Sequence, residues 1–383
     1  MTSETRYTNL TRYEDIGLNS KFNLADGHAH QGQNPTQREI VASLPELFHA
    51  AEQAFQSDSE REFQQAFYSL AGQHSAIGHP RTLLCYSASL STDLAATYLA
   101  SRGLSVALLQ PCFDNLATIL RRRNVALTPL GEDRLRNTAA LDETLDAMHA
   151  DAVFLTLPNN PTGFNLTPDR FRAIVDHCVA HHRILILDCT FRFFDISPLW
   201  DQYEVLEDSG VSYLVVEDSG KTWPTQDLKC SILAVSRDLY AGVLELHDDI
   251  LLNVSPFILR LLTAYIRDTQ EAGLERTVWR TIRRNRQALR RALAGTILTP
   301  EFPDSTVSVD WLRINRPGIR SEDVVATLGR AQIGVLPGDH FHWADHEAGA
   351  RFIRIALARP PEWFATACGH LRDVVLSTPG FTA

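Results

Sequence analysis

The sequence predicts an α/β protein built on a mostly parallel central sheet, with a smaller α+β domain toward its carboxyl end. Two observations carry this. Short apolar runs alternate with amphipathic stretches through the first two-thirds of the chain, the pattern of strand–helix–strand units. Several of those runs are continuously apolar rather than alternating, as strands covered on both faces require.

Taken in order, "RTLLCYS" (81–87) reads as a strand feeding the amphipathic run "DLAATYLASRG". "LSVALLQP" precedes "DNLATILRRRN", in which Leu116, Ile119 and Leu120 share one helical face. "DAVFLTLP", "RILILDC" and "SYLVVED" are buried-strand runs. Between the first two lies "TPDRFRAIVDHCVAHH", which opens with Thr167 as N-cap and Pro168 at the first helical position. From about residue 256 the pattern changes to long helices, then short strands ("TVSVDWLRI", "IGVLP", "RFIRIAL") and a closing helix. The expected organisation is a large domain over 41–255 and a small one over 256–383, with residues 1–40 too short to fold alone and packing on the rest.

Composition narrows the function. With 383 residues, 44% hydrophobic and 21% charged, the chain can build a large core and a second domain. A net charge of -10 argues against a nucleic-acid partner. The basic run "RTIRRNRQALRR" (280–291) has helical spacing and reads as a solvated face with no functional role. The polar amino terminus lacks the apolar region of a signal peptide and no run is long enough to span a bilayer, so a cytoplasmic protein without membrane attachment is expected. Six cysteines without a C-x-x-C pair read as reduced core residues, and the chain reads as having no H-x-x-x-H cluster, cysteine quartet or dinucleotide fingerprint to mark a metal or nucleotide cofactor. No metal is expected.

Ligands of such sheets collect at the carboxyl ends of the strands. After "FLTLP" comes "NNPTG" (159–163), a turn whose Asn160 is fixed by Pro161 and relieved by Gly163. Asp188 follows "ILIL", and Lys221 follows "VVED". Singly these residues read as a turn former, a cap and a solvated cation; together they place an amide, a carboxylate and an amine at three consecutive strand ends, able to converge on one planar ligand.

On these residues the chain resembles the fold-type I pyridoxal-phosphate enzymes, the aspartate aminotransferase superfamily. The resemblance implies that Lys221 attaches the cofactor aldehyde and then moves the substrate's α-proton. It implies that Asp188 keeps the pyridine nitrogen protonated, that Asn160 donates to the phenolic oxygen, and that Phe113 and Thr190 lie on the two faces of the ring. Ser89, Leu90 and Ser91 occupy the phosphate loop at a helix start, and Lys229 stands where a phosphate-binding arginine is usual. In "RFIRIALARP", Arg354 matches the residue that clamps an α-carboxylate, so the implied substrate is an α-amino acid. Arg351 and Arg359 read as surface neighbours.

Two departures from the superfamily stand out: Phe191 where a tyrosine is usual, and Asp218 where a serine normally contacts the phosphate. A carboxylate there would be repelled by the dianion, so Asp218 is expected to serve a cationic substrate side chain or a backbone amide at the strand end. The segments "NLTRYE", "LNSKFNLADGHAHQ", "PCFDN", "DCTFRFFD", "VEDSGKTWPTQDLK", "DDILLNVSP" and "FHWAD" closely resemble a narrower family, the O2-dependent, pyridoxal-phosphate L-arginine hydroxylases and oxidases known from enduracididine biosynthesis. That resemblance implies an amino-terminal helix folded over the substrate, with Thr11 and Glu14 reaching the site and Glu14 and Asp218 bracketing the guanidinium. His28 is implied to be catalytic; Asp26, two residues earlier across Gly27, is expected from its spacing to orient it, whereas His30 reads as plain surface and His342 and Trp343 as packing. The implied activity is oxidation of L-arginine by O2 to 4-hydroxy-2-oxo-5-guanidinovalerate, 2-oxo-5-guanidinovalerate or both, with ammonia and hydrogen peroxide. A desaturating relative and a conventional aminotransferase for a basic amino acid remain alternatives, and a homodimer is implied by analogy.

Overall fold

The computed structural model describes residues 9–137, 141–197 and 199–381. Its main sheet has seven strands, β2 (Thr82–Cys85), β3 (Val106–Gln110), β4 (Leu127–Gly131), β5 (Ala152–Thr156), β6 (Ile184–Asp188), β7 (Tyr213–Asp218) and β8 (Ser231–Val235), in the order β2-β8-β7-β6-β5-β3-β4. All pairings are parallel except those of β8, which runs antiparallel to β2 and β7. The α/β reading therefore holds. The sequence pattern missed β4 and β8: β4 is an edge strand with Pro129 in its middle and two exposed residues, too broken to read as an apolar run.

Register is what matters for the site. Thr156 pairs with Asp188, and Asp188 with Val216, so β5, β6 and β7 finish on nearly one line. Asn160, Asp188 and Lys221 leave the sheet along that line.

A four-stranded antiparallel sheet follows, β12 (Leu336–Pro337), β13 (Phe352–Ala356), β10 (Val309–Ile314) and β9 (Leu298–Pro300), in that order. Helices Arg280–Leu293 and Pro361–Ser377 cover it, burying Leu289, Leu371 and Val375 against Leu312, Ile353 and Ile355. Helix Pro256–Ala272 instead packs Leu259, Leu262, Tyr265 and Ile266 into the same core as Leu155, Leu187 and Val215 of the main sheet. Thr167 caps helix Pro168–Ala180 by accepting from the Arg170 amide at 3.4 Å, as expected. All six cysteines are buried and unpaired, and among the described residues no helix is long and apolar enough to cross a membrane.

One reading needs correction here. The basic helix 280–293 is not simply solvated: Arg286 is 6% exposed, donating to the carbonyls of Val307 and Val309 with Asp310 3.7 Å away. Its position in the helix puts it on the inner face, where neighbouring carbonyls and a carboxylate substitute for water.

The amino-terminal segment is tied down at several points. Its helix, Leu10–Leu18, buries Leu10 completely against Ala25, Trp311, Leu336 and Phe341. Strand β1 (Phe22–Asn23) pairs in parallel with β11 (Ile333–Gly334). There Gly17 and Gly334 meet so closely that a Cβ on Gly334 would lie 2.7 Å from the Gly17 Cα.

Candidate active site

The strand ends and the amino-terminal segment enclose a cleft of about 750 Å³, counting its open mouth. Of the residues singled out above, Glu14, His28, Ser89, Phe113, Asn160, Asp188, Thr190, Asp218, Lys221, Lys229 and Arg354 line it, together with Phe191. Thr11, Leu90 and Ser91 do not. Thr11 is exposed on the outer side of its helix. Leu90 gives its amide to the Ser87 hydroxyl at 3.2 Å, and Ser91, buried, turns its hydroxyl to that of Ser231 at 2.9 Å. The residues that meet the cleft at this helix start are Ser87, Ala88, Ser89 and Thr92. Ser87 is the N-cap of that helix.

Asp188 ends β6 with Oδ1 accepting both the amide of Thr190, at 2.9 Å, and its hydroxyl. Burial raises its pKa to about 6, since the Thr190 bonds and the nearby Lys221 only partly offset desolvation and the neighbouring Asp218 adds repulsion. Asp218, at the end of β7, accepts from the Gly220 amide at 3.1 Å through Oδ2, while Oδ1 is buried without a partner among the described residues. Burial raises its pKa too, against the attraction of Lys221, Lys229 and His28. The backbone-amide role at the strand end is thus observed for one oxygen, and the other remains open to a donor.

Arg354 sits on β13 opposite Trp311 and Leu336, fully buried. Its guanidinium donates to the Ala25 carbonyl and faces Glu14 Oε1 and Asn160 Oδ1, each at 3.5 Å, with Nε unpartnered. Burial lowers its pKa, opposed by Glu14 and Asp26. The amino-terminal helix is therefore linked directly to the anion-binding end of the cleft. Gly27 lies against the same guanidinium: a Cβ there would be 3.4 Å from Nη1.

Arg359 corrects the sequence reading most. Expected on the surface, it is 2% exposed and donates to the carbonyls of Asn23 (2.7 Å), Asp26 (2.6 Å) and His28 (3.2 Å). Burial pulls its pKa down to about 10 despite Asp26. His30 is likewise no plain surface residue, since its Nε2 meets Asp26 Oδ2. Trp343 packs as expected, its indole donating to the Leu109 carbonyl at 3.0 Å.

Comparisons with known proteins now bear on this geometry. The model of the family "Aminotransferase class I and II" matches residues 19–371. The chain belongs to that family. A solved structure of MppP, soaked with the product 2-ketoarginine, superposes with a TM-score of 0.85 and 38% identity, covering 92% of this chain and 99% of that one. Thermus thermophilus aspartate aminotransferase with maleate superposes with a TM-score of 0.78 at 13% identity, covering 96% and 97% of the two chains, which shows the fold alone. Among curated proteins, the LL-diaminopimelate aminotransferase of Maridesulfovibrio salexigens is 24% identical over 247 residues, 61% of this chain. The match spans 59% of that relative's length.

Members of this aminotransferase family use pyridoxal phosphate, and the cleft fits it. Asp188 is a carboxylate whose pKa is raised by burial, a cost that a pyridinium partner would offset. Ser87–Ser89 at the start of the 14-residue helix Ala88–Ser101 and Lys229 line the same cleft and suit an anion. Among the described residues Lys221 makes no hydrogen bond or ion pair, leaving its amine free for covalent attachment.

The sequence also concealed the support under Asn160. Asn159 donates through Nδ2 to Glu132 Oε2 (2.5 Å) and to the Pro111 carbonyl (2.7 Å), and the Thr162 hydroxyl donates to the same carboxylate (2.6 Å). Asn159 thereby ties the turn carrying Asn160 to the loop carrying Phe113, with Glu132 bracing that turn through Asn159 and Thr162. The duplicated asparagine in "NNPTG" was the available signal. Far from the cleft, the H-x-x-x-H pair His177 and His181, overlooked in the search for metal motifs, lies beside Asp146 at 3.7 and 4.0 Å. His177 Nε2 accepts from the Arg183 guanidinium at 2.7 Å, which leaves the proton on the nitrogen facing Asp146.

Proposed function

We propose that the protein is a pyridoxal-phosphate-dependent oxidase of L-arginine that uses O2 as co-substrate. Its products on this reading are 4-hydroxy-2-oxo-5-guanidinovalerate, 2-oxo-5-guanidinovalerate or both, with ammonia and hydrogen peroxide. The observation that carries the reading is that the amino-terminal segment brings Glu14 and His28 into the cleft that Lys221, Asp188 and Arg354 line. The likeness to MppP, a protein solved with its product 2-ketoarginine, supports the choice of substrate.

The bound cofactor would supply an electron sink for the carbanion at the substrate's Cα. Asp188 Oδ1, held by Thr190, keeps the carboxylate aimed at the ring nitrogen. Lys221 takes the Cα proton on Nζ. Arg354 clamps the α-carboxylate, with Glu14 yielding its place to the substrate anion. Glu14 and the unpartnered Asp218 Oδ1 then offer two carboxylates to the guanidinium, which is permanently charged and planar. His28 activates water or passes protons to the reduced oxygen product. The helix Leu10–Leu18 shields the cleft from bulk water. A homodimer is part of the same proposal.

A conventional aminotransferase for a basic amino acid is the second reading, favoured by the family itself and by the diaminopimelate enzyme. The two separate in one experiment: oxygen consumption by cofactor-loaded protein given L-arginine without a keto acid, with products identified by mass spectrometry. Oxygen uptake with a keto acid is expected. No uptake, with turnover restored by 2-oxoglutarate, would establish the transaminase instead.

A further inference from the structure

His28 stands in a loop that the sheet does not support, so what fixes its ring must come from side chains. Its Nδ1 faces two carboxylates, Asp26 Oδ1 at 2.9 Å and Asp227 Oδ1 at 3.3 Å. Its Nε2 faces the Lys229 ammonium at 3.3 Å. Carboxylates accept and an ammonium only donates, so each side demands the same arrangement. The proton belongs on Nδ1 and the lone pair on Nε2.

We infer that Asp26 is the positioning residue that locks His28 in the Nδ1–H tautomer, leaving Nε2 as its working nitrogen at the cleft, and that Arg359 holds the loop on which both sit. The role assigned to His28 rests on the oxidase reading above; the tautomer does not.

The geometry of Asp26 is suited to this and to little else. It is 1% exposed, and Oδ1 accepts the His28 amide and lies 2.9 Å from the His28 Nδ1, while Oδ2 meets His30 Nε2. Burial alone would raise its pKa, but the bonds from His28 and His30 and the charge of Lys221 outweigh it and hold the carboxyl far below the usual range. It therefore stays an acceptor wherever the protein is folded and active. Asp227, on a half-exposed turn with φ of +64°, adds a weaker second acceptor from the other side. Arg359 completes the device by binding three carbonyls, at Asn23, Asp26 and His28, which fixes the backbone from which both side chains project. Neither Asp26 nor Arg359 lines the cleft, so both act through His28 rather than on substrate.

With Nδ1 committed, Nε2 is the nitrogen able to take a proton from water once the Lys229 ammonium leaves it. In the free imidazole the other tautomer is accessible, and a ring so arranged would present an N–H to the cleft instead of a lone pair.

The test uses holoenzyme labelled with nitrogen-15 histidine, the His28 signals being identified by their loss in His28→Gln. Long-range proton–nitrogen correlation spectra should show His28 protonated on Nδ1 and bare on Nε2. Asp26→Ala should abolish that preference, and slow formation of the hydroxylated product by about 100-fold, the scale of a lost proton-transfer group, with KM for L-arginine unchanged. Asp26→Asn should keep both, because its side-chain carbonyl still accepts from Nδ1–H. A wild-type His28 protonated on Nε2 overturns the inference, and so does Asp26→Ala with an unaltered tautomer or, in an enzyme that hydroxylates, an unaltered product ratio. Wild-type protein that consumes no oxygen with L-arginine counts against the oxidase reading alone, because the spectra still decide the tautomer.

Discussion

The two walls of the cleft are held in different ways. Asp188, Asn160 and Lys221 leave the ends of parallel strands whose register places them, and moving one would require shifting β5, β6 and β7 together. Glu14 and His28 ride on a segment fastened by a two-residue strand pair, the buried Leu10, and a few side-chain bonds to backbone from Asp114 and Arg359. The first wall shares the stability of the whole domain, whereas the second can open locally at a cost of a few hydrogen bonds. Chemistry that must hold a cofactor permanently sits on the rigid wall, and residues proposed to meet a substrate that enters and leaves sit on the other.

Substitutions should separate the walls. The largest effect belongs to Lys221→Ala, which should cut turnover by roughly 10⁴-fold or more, since it removes both the covalent anchor and the proton carrier. The visible absorbance of the lysine-held cofactor should vanish while the thermal unfolding midpoint stays close to wild type; retained turnover would remove Lys221 from the site.

Arg359→Met should strike the other wall. Loss of three carbonyl contacts leaves buried acceptors unsatisfied, at about 1–3 kcal/mol each before relaxation. Amide exchange over residues 22–30 should accelerate by at least about 100-fold, a loss of local stability near 3 kcal/mol, with β5 to β7 unaffected. Equal acceleration in the strands would mean that the two walls are one cooperative unit.

Asp188→Asn should behave in the opposite sense to most active-site damage. The folded pKa of about 6 lies above the ordinary 3.8, so ionisation in the folded protein is unfavourable and stability falls as pH rises from near 4 to above 6. The cofactor-free Asn variant should exceed wild type by about 3 kcal/mol at pH 8, with the gap closing toward pH 4. Urea unfolding at the two pH values measures this; a gap that does not close would mean that charge burial is not its source. Cofactor-loaded Asp188→Asn should lose most of its activity.

The smallest effect is Asp114→Ala. Its Oδ2 accepts the Leu10 amide at 3.0 Å and anchors the start of the amino-terminal helix. Removing one bond to a backbone amide should weaken docking by about 1 kcal/mol, raising KM for substrate roughly fivefold with kcat little changed. Limited proteolysis before residue 20 should quicken correspondingly, and an unchanged cleavage rate would relieve Asp114 of this role.

Legibility followed the same division. Asp188, Asn160 and Lys221 could be picked out because continuous apolar runs mark buried parallel strands and ligands gather where such strands end. Arg359 could not, since a charged residue beside "PP" looks like surface, and only the fold brings the carbonyls of Asn23, Asp26 and His28 around it. The N-cap of the helix Ala88–Ser101 was equally hidden: which serine caps a helix is decided by backbone geometry over one turn, and "YSASLST" offers three.

By itself, then, the sequence determined the α/β class, the succession of strands and the residue types at their ends, because periodicity and apolar continuity are local properties that burial imposes on each element. The tertiary structure alone decided which charges are buried and what they hold. Arg286 and Arg359 read as surface residues and Arg354 as a clamp for an anion, yet each is taken out of water by a different set of carbonyls and carboxylates contributed from distant segments. A buried charge is tolerated only where partners converge from several elements at once, and that convergence exists only after the chain has folded.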